Sequence, residues 1–269
     1  MSALLLTLVT PLCHDALRQS GLTRFLTRVP SWLIFTTVEL TDAAPPAPLS
    51  DKRRYDDACT TAHAMELLGD RWAMLVVREL LFGGRRFNEL RHGLPGISAN
   101  VLTQRLEALE ASRVVQRRKL PLAGGAHQYE LTAWGQEAES VILALGRWGA
   151  QSIAHDPALP LSAASLMLRL RAALLPERLG QSAACIGFDI DGELFTARLG
   201  SGAMAVKRGC ADNPDLLLCA SAATLAGLFR GERPLGDYVA TGALAIEGSR
   251  ALAHWLTTLF AATPKPGSA

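Results

Sequence analysis

The chain has 269 residues, of which 49% are hydrophobic and 19% charged, with a net charge of +2. That composition excludes an intrinsically disordered protein and leaves room for two folded domains. It also excludes a uniformly basic nucleic-acid binder, so any such surface must come from local clustering of charge.

Five cysteines (Cys13, Cys59, Cys185, Cys210 and Cys219) form no C-x-x-C pair. An odd set without metal-ligand spacing reads as reduced thiols in a cytoplasmic protein, with neither a zinc site nor a disulfide framework. No apolar run approaches the ~20 residues needed to span a bilayer, so no membrane partner is expected. The start, MSALLLTLVTPLC, lacks a basic residue before its apolar core and makes a poor secretory signal.

Residues 1–50 differ in texture from the rest. Two apolar pieces, ALLLTLV and SWLIF, precede a proline-rich linker, AAPPAPLS. Two readings stand open: a weakly ordered N-terminal extension, or residues that lie before the true translation start.

A first domain is expected over residues 51–155. CTTAHAMELLGD reads as a helix with Ala62, Met65, Leu67 and Leu68 on its apolar face, stopped by Gly69. Asp70 is placed to cap RWAMLVVRELLF, whose near-continuous apolar run suits a central buried helix. RRFNELRHG gives a short third helix, with Phe87 and Leu90 inward. GLPGIS is the turn that follows, because Gly93, Pro95 and Gly96 do not readily continue a helix. Ser98 then caps a fourth helix, about Ala99 to Ser112. VVQRRKL and HQYELT read as strands around a PLAGGA hairpin tip. A long helix capped by Thr132 follows, with Ala138, Val141, Ile142, Leu145 and Trp148 on one side.

Helix, short helix, glycine-bearing turn, helix and hairpin is the order of a winged helix-turn-helix, in which the helix after the turn enters the DNA major groove. The fourth helix, ANVLTQRLEALEA, turns Ile97, Leu102, Leu106 and Leu109 inward and leaves Asn100, Thr103, Gln104 and Arg105 on or near the outer side. Asn, Gln, Thr and Arg hydrogen-bond base edges or phosphates. From Arg71 to Lys119 there are ten basic and four acidic residues, a local charge of +6. Arg117, Arg118 and Lys119 stand where the hairpin would meet phosphates. The expected base contacts are therefore Asn100, Thr103 and Gln104. Ser98 and Arg105 are expected at phosphates or bases, and Arg117, Arg118 and Lys119 at the backbone. The competing reading of the same run is a solvated face on a small helical bundle.

Several longer motifs occur in order: Cys59 opening the first helix, GDRW at Gly69–Trp72, LFGGRRFNEL at Leu81–Leu90, LPGISANVLTQRLEAL at Leu94–Leu109, and Tyr129, Leu131, Thr132 and Gly135 in a Y-x-L-T-x-x-G pattern. Over roughly residues 55–150 the chain resembles the HxlR-type winged-helix transcriptional regulators. The resemblance implies a homodimer that reads a two-fold-related operator in double-stranded DNA, with the first and last helices of this domain at the interface. It also makes Cys59 a candidate redox-sensing thiol. Asp56 and Asp57 would raise that thiol's pKa, and a small residue packed at the dimer interface is the simpler account.

A second domain is expected over residues 163–262, after the break DPALPLS, with 263–269 as a tail. ASLMLRLRAAL reads as a helix, and CIGFDIDGELFTARL as a hairpin turned at Asp191-Gly192. AMAVKRG and DLLLCA extend the sheet, and two amphipathic helices, SAATLAGLFRG and SRALAHWLTTLF, follow, which makes an α+β domain. Order and texture resemble, more loosely, the sterol-carrier-protein-type domains, which implies a tunnel for a small apolar ligand. The candidate lining is Leu225, Leu228, Phe229, Leu252, Trp255, Leu256 and Phe260, a set that core packing explains equally well.

Enzymatic readings find little support. Asp189, Asp191 and Glu193 lack the remaining ligands of a calcium loop and fit a hairpin turn better. Six scattered histidines form no H-x-x-x-H, and no nucleophile elbow appears. The expectation is a multi-domain protein, a mainly α winged helix-turn-helix domain followed by an α+β sterol-carrier-like domain. It would regulate transcription under a small apolar ligand or a thiol signal, with no cofactor, no metal and no catalysis. The rival is a lipid- or acyl-chain-binding carrier whose winged domain mediates dimerisation.

Overall fold

The computed structural model describes residues 55–120, 127–156 and 159–261; the expected N-terminal extension, the PLAGGA hairpin tip and the C-terminal tail lie outside them. Four helices come first: α1 (Thr60–Leu68), α2 (Ala73–Leu80), α3 (Phe87–Gly93) and α4 (Ala99–Ala111). An antiparallel hairpin of β1 (Val115–Lys119) and β2 (His127–Leu131) follows, then the long helix α5 (Ala133–Gly149).

Helix α2 is the hub, as its apolar run dictates. Val76, Val77 and Leu80 are buried, and the helix packs against α1, α3, α4, α5 and β2. Asp70 does not cap it: Trp72 holds the N-cap position, and the Asp70 carboxylate is drawn instead to Arg105 of α4. Ser98 and Thr132 do cap, accepting from the Val101 and Gly135 amides at 3.2 and 2.9 Å.

The apolar side expected for α5 divides in two. Ile142 turns into the core, whereas Trp134, Val141, Leu145 and Trp148 remain exposed, Trp148 to 73%. Helix α1 buries none of its residues completely, and Met65 lies open. Among the described residues nothing covers these exposed side chains.

The second domain begins with α6 (Ala163–Ala173) and the short α7 (Pro176–Leu179). Its sheet runs in the order β5-β4-β3-β6-β7, from β3 (Ala184–Ile190), β4 (Glu193–Gly200), β5 (Ala203–Arg208), β6 (Leu216–Ala220) and β7 (Leu244–Gly248). Only the β3–β6 pair is parallel. The β3–β4 hairpin turns at Asp191-Gly192, both at positive φ, the two-residue geometry that Asp-Gly favours. Alternation buries Phe195, Ala197 and Leu199 on one face of β4 and Ile186, Phe188 and Ile190 on that of β3. Helices α8 (Ala222–Phe229), α9 (Leu235–Ala240) and α10 (Arg250–Thr258) complete this domain. The stretch YVATGALAIEG, residues 238–248, for which the sequence pattern predicts no element, holds the end of α9 and the edge strand β7.

The domains meet along α6, which packs on α2 and α5. A buried ionic cluster closes the junction. Glu79 of α2 accepts from Arg85 at 2.9 Å, from Arg78 at 2.9 Å and from Ser162 at 2.6 Å. Arg85 reaches on to Glu193 of β4 at 3.0 Å, and Glu193 also pairs with Arg208 of β5. The Arg208 amide donates to the Phe82 carbonyl at 2.8 Å, and Phe82 meets Phe195 edge-on at 6.0 Å between centroids. Gly93 is glycine for this reason rather than for the turn: a Cβ there would lie 2.7 Å from the Glu79 carboxylate and 2.9 Å from the Arg85 guanidinium.

Candidate nucleic-acid interface

Burial of Leu102, Leu106 and Leu109 fixes how α4 rolls against α2. The same periodicity carries Asn100, Thr103 and Gln104 to the outer face, where all three are exposed. Among the described residues none of these side chains hydrogen-bonds within the chain, so their donors and acceptors are open to an incoming group. Ser98 is exposed at the N-terminal end, with its hydroxyl engaged as the cap.

Arg105 does not share that face. It is 9% exposed and ion-paired to Asp70. The expectation of a phosphate or base contact is corrected here: Arg105 follows Leu102 by three and precedes Leu109 by four, which places it on the buried stripe. Arg85, 5% exposed, and the partly buried Arg78 likewise belong to the junction, although both counted toward the local charge of the sequence.

The hairpin keeps its basic residues outside. Arg117 is exposed, with its guanidinium 3.1 Å from Glu110 and 5.2 Å over the Tyr129 ring. Arg118 is exposed and only 3.8 Å from Glu130, a loose contact. Lys119 is exposed and makes no ion pair among the described residues. The hairpin is held to the domain body by Arg85 and Tyr129, which exchange two backbone hydrogen bonds of 2.8 Å each. Arg85 thus fixes the hairpin through its backbone and the second domain through its side chain.

Sequence reasoning named no site residue on α3. The structure exposes Arg86, Asn88, Arg91 and His92 there, beside the turn into α4. The signal was available, since inward Phe87, Leu90 and Gly93 leave positions 88, 91 and 92 facing out.

Cys59 is exposed at the N-cap of α1, and its own amide donates to Asp57 at 2.9 Å. The expected rise in its pKa is reversed. Hydrogen bonds from the backbone of Ala62 and Thr61, then from the Thr61 side chain, pull the thiol below its ordinary value. Amides at a helix start stabilise the thiolate more than burial opposes it.

Of the residues expected to line a tunnel, Leu225 and Leu256 are fully buried, while Leu252 and Trp255 are partly buried. Leu228, Phe229 and Phe260 border a cavity of about 500 Å3 that also takes in Arg230, Arg233 and His254. Among the described residues no group of His, Cys, Asp and Glu is placed to hold a metal ion, and no helix is long and apolar enough to cross a membrane.

A helix-turn-helix with a basic hairpin, followed by an α+β domain built on a mixed sheet, defines a two-domain protein of the winged helix-turn-helix class. The family comparisons agree. The sequence model of the HxlR-like helix-turn-helix family matches residues 67–157, and that of the SCP-2 sterol transfer family matches residues 165–261. The HTH-type transcriptional regulator sll1512 of Synechocystis is 38% identical over 98 residues, covering 36% of this chain and 73% of that protein. YvaP of Bacillus subtilis, an HTH-type transcriptional regulator, is 35% identical over 94 residues, covering 35% of this chain and 85% of that protein. The solved reduced form of the transcriptional regulator YodB from B. subtilis is 32% identical and covers 37% of this chain and 100% of its own, with a TM-score of 0.34. The chain belongs to the HxlR-like helix-turn-helix family of transcriptional regulators, and it carries an SCP-2-type domain behind the DNA-binding module.

Proposed function

We propose that the protein is a dimeric, cytoplasmic regulator that reads a two-fold-related site in double-stranded DNA and whose affinity responds to a small apolar ligand. The observation that carries the reading is the outer face of α4: Asn100, Thr103 and Gln104 are exposed, with no side-chain hydrogen bond among the described residues. Such groups are suited to base edges in a major groove. Arg118 and Lys119, with Arg117 behind them, supply phosphate contacts that position the helix without reading sequence. Arg86, Arg91 and His92 extend the basic surface across α3.

Dimerisation is supported by the apolar side chains that α5 and α1 leave exposed among the described residues. A set as large as Trp134, Val141, Leu145 and Trp148 on one helix marks an interaction surface. Pairing two copies through it would set the spacing of the two α4 helices, and hence the spacing of half-sites.

The test is binding of the full chain to duplexes tiling the region upstream of its own gene, at two salt concentrations under reducing conditions. Tight binding restricted to one tile and weakened by salt is expected. Weak binding equal on every tile, together with co-purified lipid in mass spectra, would instead favour the carrier alternative. A thiol input is a second reading, favoured by the exposure and lowered pKa of Cys59. It requires oxidant to weaken operator binding in the wild type and to leave Cys59→Ser unaffected.

A further inference from the structure

Between α5 and α6, where the two domains face each other, lies a cavity of about 650 Å3. That volume falls within the range of small-molecule sites. Its walls are aliphatic or small for the most part, with Ile142 and Leu143 from α5 and Leu168 and Ala172 from α6. It is distinct from the cavity at Phe229 and Phe260, and it exists only because the two domains are joined.

Two features point to an occupant. The first is a floor without side chains. Gly146 and Gly149 both line the cavity, and a Cβ added to either would meet nothing within 4 Å. Glycine inside a helix costs stability relative to alanine, and no close approach of neighbouring atoms requires it at Gly146. What glycine leaves here is open space along the helix.

The second is unanswered positive charge. Arg147, Arg169 and His155 line the cavity, and no acidic side chain does so among the described residues. Arg169 is partly buried and makes no ion pair among the described residues. Burial first, and then the like charge of Arg230, hold it below the ordinary arginine value. Arg230 itself is paired with Glu232. Asp156 borders an adjoining cavity that shares Arg169 and His155. A partly buried guanidinium with no counterion among the described residues favours an anion.

We infer that this interdomain cleft binds a single-chain aliphatic carboxylate, its chain over the Gly146–Gly149 floor and its head group on Arg169 and Arg147. The inference rests on the reading of the protein as responsive to an apolar ligand and names the site and the head-group chemistry. It also supplies a route to DNA. Ligand would lie against α5, the helix whose neighbouring face carries Val141, Leu145 and Trp148 toward the proposed partner copy, and would bias the spacing of the two α4 helices.

The experiment uses the full chain without DNA. Calorimetry with laurate below its micelle concentration is compared with dodecanol, which has the same chain and no charge. Laurate is expected to bind the wild type and to bind Arg169→Ala roughly tenfold more weakly, as loss of a charge-assisted hydrogen bond implies, whereas dodecanol, with no charge to offer, is expected to bind the two proteins alike. Gly146→Leu fills the cleft and is expected to abolish laurate binding while the melting temperature stays level or rises, which separates a blocked site from a misfolded one. Equal laurate affinity in wild type, Arg169→Ala and Gly146→Leu would place the ligand elsewhere and overturn the proposal. So would absence of laurate binding together with a dimer that Gly146→Leu dissociates in sedimentation, since the cleft would then receive a second copy. Operator affinity is measured separately, so that a protein that binds laurate but no DNA contradicts the regulator reading and leaves the site standing.

Discussion

The outer face of α4 and the junction behind α2 use similar polar residues to opposite ends. In the junction each charge is answered: Glu79 takes hydrogen bonds from Arg78, Arg85 and Ser162, and Glu193 answers Arg85 and Arg208. On α4, the side chains of Asn100, Thr103 and Gln104 have no hydrogen-bond partner among the described residues. In a dry junction an unpaired charge costs several kcal/mol, so partners must be built in. On a wet face water fills the role, and a base edge can displace it. Burial thus separates arginines that hold the protein together, Arg85 and Arg105, from those left to meet phosphate, Arg118 foremost.

The largest effect expected from this contrast is at Arg85. Arg85→Ala leaves Glu79 and Glu193 short of a buried partner, and the unfolding free energy in urea is expected to fall by about 3–5 kcal/mol. A midpoint close to wild type would mean that the junction is wet and the contrast false. A Glu79→Met, Arg85→Met double variant sharpens the point, because removing both charges is expected to recover most of the loss. On the other side, Asn100→Ala and Gln104→Ala are each expected to relax preference at one base pair by about 1–3 kcal/mol, with the urea midpoint unmoved. Competition binding with single-base variants of the operator reads this directly. Arg105→Ala, its near neighbour in sequence, is expected to behave like a junction variant, losing stability rather than base preference.

Smaller effects follow at the hairpin. Arg118→Ala or Lys119→Ala is expected to weaken binding alike on all sequences and to lower the slope of log affinity against log salt by about 1. A base-specific loss would move the hairpin from positioning to reading. The smallest is chemical. Because helix-start amides lower the Cys59 pKa, its thiolate is present at lower pH than in an ordinary cysteine, and its alkylation rate should rise at lower pH. Cys219, raised by burial and by Asp189 and Glu247, is expected to react only at higher pH. Peptide mapping after timed alkylation across pH distinguishes the two, and the reverse order would count against the cap geometry.

Most of the first domain was legible because its signals are local. Ser98 and Thr132 are capping residues placed before apolar periodic runs, and the 3.6-residue period alone set Asn100, Thr103 and Gln104 outward. The same spacing is read from sequence as leaving Arg105 outside too, whereas three residues after Leu102 it lies at the edge of the buried stripe and turns in to Asp70. Asp70 was misread for a related reason: a good capping residue next to a helix start was claimed by a distant arginine. The junction was not legible. Glu79, Arg85, Glu193 and Arg208 are separated by up to 129 positions, and nothing in their local spacing announces that they meet. Strand β7 was missed because LAIEG, with only Leu244 buried, offers little alternation and gains its place by pairing with β6. Only the packing of whole domains on each other disclosed the cleft between α5 and α6.

The claim that α4 reads sequence is tested most directly by selecting binding sites from random duplexes with the wild type and with an Asn100→Ala, Gln104→Ala double variant. The account expects the wild type to enrich a two-fold-related site, and the double variant to retain salt-dependent binding while losing that enrichment. Recovery of the same site by both proteins would contradict it, because sequence would then be read by some other surface of the molecule.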